Sequence, residues 1–153
     1  MTLSLFLTRA CVRLGILVMF VACASAQDAF VGSVKTVVGK PVVIRGAETL
    51  PVTSGMHLNL KDTLQTDSAS RVGFILRDGM RVSLGPDSEL AVETFLFEPG
   101  KGELGLLLRV FRGVVAFVSG KIAELSPESA NVATPVGMIG LRGTKFAVSL
   151  AVK

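Results

Sequence analysis

With 153 residues the chain is sized for one domain and can bury a core without staples. Half of it is apolar, and its formal net charge of +4 comes from ions dispersed along the sequence, which excludes a nucleic-acid footprint. One histidine and two cysteines are too few for the usual zinc or haem sites.

Residues 1–26 read as a helical signal peptide. Arg9 and Arg13 supply the basic region, Leu14–Val21 the apolar one, and Ala24-Ser25-Ala26 a small-residue cleavage site. The uncharged run Leu14–Ala26 has 13 residues, short of the ~20 that a membrane-spanning helix needs. Cleavage after Ala26 would give an exported bacterial protein, periplasmic or secreted, with no integral membrane span. The alternative is a lipoprotein anchored at Cys23, because Phe20-Val21-Ala22-Cys23 partly matches a bacterial lipobox. Cys11 and Cys23 both fall in this leader, so the mature domain at 27–153 has no disulfide and relies on its packing.

Phe30–Val38 predicts an apolar strand, broken at Gly39-Lys40-Pro41 and resumed at Val42–Ile44, which reads as a hairpin turning at Gly39. Arg45–Pro51 reads as a polar loop. Met56, Leu58 and Leu60 alternate, and Asp62–Thr66 is a short strand closed by turn chemistry at Thr66-Asp67-Ser68. Arg71–Arg77 predicts a strand with Val72, Phe74 and Leu76 on one face; Asp78-Gly79 is a hairpin signal and Met80–Leu84 its return arm. Gly85-Pro86-Asp87 reads as a further turn, Ser88–Glu98 as a strand, and Pro99-Gly100-Lys101-Gly102 as the next turn.

Leu104, Leu106, Leu108 and Val110 form the best period-two run of the chain. Arg112-Gly113 and Ser119-Gly120 read as turns on either side of a buried strand at Val114–Val118. Lys121–Asn131 is the one segment suited to a helix or loop, and Pro127 limits any helix to a turn or two. Breaks every ~8–12 residues without a helical stripe predict an all-β domain. A stacked β-roll or solenoid-like arrangement of short strands is the first expectation; a two-sheet sandwich or jelly roll is the alternative.

The residues that could carry chemistry are few. His57 lies in a period-two stretch where it faces outward, and no partner motif accompanies it. Asp62, Asp67, Asp78 and Asp87 fall in turns or at strand ends, where Asp bonds its own backbone, and no Asp-x-Asp-x-Asp calcium loop is present. Gly39-Lys40 and Gly120-Lys121 lack the Gly-rich approach of a phosphate loop. The absence of Trp and Tyr weighs against a saccharide-binding surface. No enzyme activity, cofactor or metal is expected.

The chain is organised around Thr134–Val148, Thr-Pro-Val-Gly-Met-Ile-Gly-Leu-Arg-Gly-Thr-Lys-Phe-Ala-Val. Pro135 keeps Thr134 extended, and Gly137, Gly140 and Gly143 divide the run into short strand pieces. Arg142 is a lone cation among Ile139, Leu141 and Phe146. Two roles are open to it: a guanidinium tying strand ends together through carbonyls, or a recognition residue for a ligand or partner.

This motif, with Thr134-Pro135 leading to Gly140-Leu141-Arg142-Gly143-Thr144, resembles the signature of the FecR family of periplasmic domains. Gly55, Asp62–Thr66, Ser70, Phe74, Asp78-Gly79 and Leu84–Ser88 fall in the order that family shows, so the resemblance runs over roughly 30–148. It implies an exported sensor-type domain of the kind known from iron–siderophore signalling, where a periplasmic FecR region hears an outer-membrane transporter and controls a cytoplasmic anti-sigma segment. No cytoplasmic helical region precedes the apolar segment here, and the chain stops soon after the motif. A stand-alone binding or regulatory module recognising an envelope protein is therefore expected, rather than direct anti-sigma action. The alternative is a structural or assembly scaffold of the envelope that self-associates through its sheet edges. Thr134, Pro135, Gly140, Arg142, Gly143 and Thr144 are the candidate site under either reading.

Overall fold

Alternating apolar and polar residues place most of the chain in β-structure. A computed structural model describes residues 30–142 and 145–151. The expected signal peptide, with Ala24, Ala26 and Cys23, lies outside the described residues, as do Gly143 and Thr144.

The strands are β1 (Phe30–Val38), β2 (Val42–Arg45), β3 (Glu48–Pro51), β4 (His57–Asn59), β5 (Thr63–Gln65) and β6 (Arg71–Leu76), then β7 (Arg81–Leu84), β8 (Glu89–Glu98), β9 (Glu103–Val118), β10 (Ala130–Thr134), β11 (Gly137–Gly140) and β12 (Lys145–Leu150). One short helix, α1 (Lys121–Leu125), and a 3-10 turn at Pro127–Ser129 separate β9 from β10. All twelve strands join one sheet, curled into a half-barrel. The domain is thus all-β, as expected, but it is not a stacked roll or solenoid. Those folds stack their coils in parallel, whereas here β10 with β9 is the only parallel pair among the described strands.

The curl comes from strands that bend rather than reverse. β1 pairs with β6 while β2, just past Pro41, pairs with β5. β6 in turn pairs with β7, and β5 with β8. Both β7 and β8 then run antiparallel to the single 16-residue β9, from Arg81 opposite Val118 to Glu98 opposite Glu103. The breaks at Gly39-Lys40-Pro41, Gly85-Pro86-Asp87 and Arg112-Gly113 are therefore corners in long bent strands, and the hairpin expected at Gly39 does not form. The loop expected at Arg45–Pro51 is instead a true hairpin, β2 with β3.

At a corner the ladder lapses, and each freed backbone group needs another partner. Three buried hydroxyls provide them: Ser70, Thr66 and Ser88. The Lys40 N–H donates to Ser70 Oγ at 2.9 Å. The Ser88 N–H donates to Thr66 Oγ1 at 2.9 Å, and that hydroxyl reaches the Gly85 carbonyl at 2.7 Å. The Val114 N–H donates to Ser88 Oγ at 2.9 Å, and the Gly85 N–H to the Val114 carbonyl at 2.8 Å. Glycine makes room for this seam. Gly113 has φ +87°, and a Cβ there would come within 2.6 Å of the Asp87 carbonyl oxygen.

Inside the bend lies one apolar cluster. Val72, Phe74, Leu84 and Phe117 enter it from one arm of the bent strands, and Leu64, Leu90, Leu108 and Val110 from the other. The period-two runs read from the sequence supply these inward faces. β12 closes on β9, with Phe146 stacked on Phe117 at 4.8 Å between ring centroids.

Candidate functional site

The Thr134–Arg142 segment folds as a hairpin on the flank of β9. β10 runs parallel to β9, with Ala130 opposite Leu106 and Ala133 opposite Arg109. Pro135 cannot continue that ladder, so the chain turns, and β11 returns antiparallel with Thr134 opposite Gly137 and Asn131 opposite Gly140. Thr134 holds the turn itself: its Oγ1 donates to the Gly137 carbonyl at 2.8 Å and accepts the Val136 N–H at 3.4 Å. The base is pinned by Leu141, 1% exposed, whose N–H donates to the Ala130 carbonyl at 2.9 Å.

Everything between turn and base faces solvent. Val136 is 86% exposed, Met138 66% and Ile139 37%. Among the described residues β11 pairs with β10 alone, which leaves its outer edge open. No residue from Thr134 to Leu141 is charged. Over Gly137–Gly140 the result is an apolar, uncharged sheet edge without the lysines, prolines or bulges that protect many such edges.

Arg142 follows Leu141 and is exposed. The expectation of a guanidinium tying strand ends together is not met among the described residues, because Leu141 takes the inward position and turns the next side chain outward. The positive charge of Arg142 reaches Glu128, whose carboxyl is held below its usual range mainly by the Ser126 hydroxyl and to a lesser degree by Arg142. Of the expected site, Thr134, Pro135, Gly140 and Arg142 thus share one exposed hairpin. In the sequence Arg142 stands out by its charge, whereas in the fold Val136, Met138 and Ile139 supply the exposed apolar surface. The signal that identifies them is the uncharged run itself, too apolar for a surface turn and too interrupted by glycine for a core strand.

The acidic residues divide into structural roles. Asp62 is fully buried; its carboxylate takes a bidentate pair from Arg45, at 2.9 and 2.7 Å, and the Asn59 N–H at 2.9 Å. Asp78 is 2% exposed and accepts the Met80 N–H at 3.0 Å and, more distantly, the Ile122 N–H. Burial pushes its pKa up. Asp67 accepts the Ala69 N–H at 3.0 Å, and its pKa is lowered chiefly by the Ser70 hydroxyl. The expectation that Asp bonds backbone in turns holds for these three, and the fold adds the burial of Asp62 and Asp78.

Asp67 and Asp87 line a surface cleft of about 390 Å³ over the corner, shared with Lys40, Gln65 and Arg112. Its mixed charges do not favour one sign of ligand. His57 is exposed and meets Phe30 edge-on at 4.4 Å. Among the described residues no group of three His, Cys, Asp or Glu side chains is placed to hold a metal ion, and no helix is long and apolar enough to cross a membrane.

Comparison with known proteins follows the same lines. Residues 62–153 match the family model FecR, described as FecR protein. No match was found among curated proteins or among solved structures. The chain belongs to the FecR family.

Proposed function

From membership of the FecR family, we propose that this chain is an exported, non-catalytic regulatory module that recognises a protein partner in the bacterial cell envelope. The leader at 1–26 supports export, with cleavage after Ala26 as the first expectation and acylation at Cys23 as the alternative. The observation that carries the reading is the open edge of β11. Within Thr134–Arg142, the stretch that carries the family signature, Leu141 alone is buried, and Val136 and Met138 are presented to solvent. A motif serving stability alone would turn those side chains inward. Extended partners add to such edges through backbone hydrogen bonds, with specificity supplied by alternate side chains.

The test is photo-cross-linking in the native bacterium, with a photoreactive residue at Val136 and, separately, at exposed Ser83 on the outer face of the sheet. An envelope protein captured from Val136 and not from Ser83 supports the reading. Identical patterns from both positions, or none from Val136, refute it.

A further inference from the structure

We infer that the open edge of β11 pairs antiparallel with β11 of a second copy of this chain, about a two-fold axis at Ile139. The inference shares with the proposed function only the reading of β11 as the interaction edge. It does not depend on the identity of any envelope partner.

The register follows from the backbone. The Leu141 N–H donates to the Ala130 carbonyl, and the pairing of β10 with β11 continues that register. In an antiparallel ladder, hydrogen-bonded and non-hydrogen-bonded pairs alternate. Leu141, Ile139 and Gly137 therefore spend their backbone groups on β10, while Met138 and Gly140 aim theirs outward. Only outward groups can bond to a copy, and they pair among themselves. Placing Met138 opposite Gly140 of the copy, and Gly140 opposite its Met138, uses both outward residues on each chain. It keeps every bond within β11, short of the turn at Pro135-Val136.

The side chains agree with this register. Each exposed Met138 lies across from a glycine, so no bulky residue opposes it. The two Ile139 side chains meet as a non-hydrogen-bonded pair, whose Cβ atoms stand ~4.5–5.5 Å apart in such ladders. No charge from Thr134 to Leu141 is brought against its own copy. The two Arg142 residues fall at opposite ends of the paired strands, roughly 20 Å apart at ~3.4 Å per residue. An uncharged apolar edge of this kind is otherwise a site of uncontrolled association, and pairing with one copy covers both edges. Four-residue strands bury less than the ~1,000 Å² of a stable interface, so the dimer is weak and concentration-dependent.

The experiment uses cysteine variants of the mature protein, whose natural sequence beyond the leader contains no cysteine. Ile139→Cys and Met138→Cys are oxidised mildly at equal concentration, with circular dichroism confirming that both fold. Met138 is nearly twice as exposed as Ile139, at 66% against 37%, so random collision favours Met138→Cys. The inferred register reverses that order, because only residue 139 faces its own copy. Disulfide dimer forming several-fold faster in Ile139→Cys, with a sedimentation mass of the natural protein that rises with concentration, supports the pairing. Faster dimer in Met138→Cys, equal rates, or a mass that stays monomeric at every concentration overturns it. A second copy and an envelope partner compete for this edge, yet the two ideas fail separately. A monomeric mass together with an envelope protein captured from Val136 overturns only the pairing, and a self-paired chain whose Val136 captures nothing but its own copy overturns only the proposed function.

Discussion

Thr66→Val tests whether the hydroxyl seam holds the bend. Valine keeps the shape and the β-branch of threonine, so neither cavity nor overpacking enters. What is lost is the acceptor of the Ser88 N–H and the donor to the Gly85 carbonyl. Ser88 is fully buried and Thr66 is 5% exposed, so water cannot replace the missing partner. An unpaired buried N–H costs about 1–3 kcal/mol. A net loss of ~2 kcal/mol in a domain of this size lowers Tm by roughly 6–12 °C. Thermal unfolding by circular dichroism reads the shift, with exposed Thr36→Val as the control, expected to stay within about 0.5 kcal/mol of the natural protein. Combining Thr66→Val with Ser88→Ala should cost less than the two single changes added, because both act on one network. If Thr66→Val melts no lower than Thr36→Val, the corners are held by something other than these hydroxyls and the account of the fold is wrong.

Asp62→Ala should cost ~3 kcal/mol in urea unfolding, since it strips the bidentate carboxylate from Arg45 in a buried setting, whereas Glu93→Ala, which breaks the more exposed pair with Arg109, should cost no more than about 1 kcal/mol. Burial raises the pKa of Asp78, so the folded state holds that proton more tightly than the unfolded chain; its contribution is full below the ordinary carboxylate pKa and is lost as pH rises through the raised value. Urea midpoints measured from about pH 4 upward should therefore show a falling component in the natural protein that is missing in Asp78→Asn, and an unchanged pH profile would refute the assignment. Arg142→Ala should leave the melting temperature within the scatter of surface substitutions, about 0.5 kcal/mol, and a larger loss would restore the strand-tying role that its exposure argues against.

Local pattern alone decided much of this protein. Alternation at Val72–Leu76 and Leu104–Val110 marked strands and their inward faces, because side-chain direction in a strand depends only on residue parity. Asp78-Gly79 marked a real hairpin, and the Thr134–Thr144 motif marked the family. Whether a break reverses the chain or bends it was not legible in this way. Gly39-Lys40-Pro41 and Arg112-Gly113 carry the same residues that make hairpins, yet both are corners. The difference lies in which distant strand offers its edge on either side of the break, and in whether a hydroxyl such as Ser70 or Ser88 stands ready to take the freed backbone groups. The burial of Asp62 against Arg45 and the exposure of Arg142 have the same origin. A side chain's surroundings are set by segments far away in sequence, so they emerge only once the sheet has curled and Leu141, not Arg142, has taken the place inside.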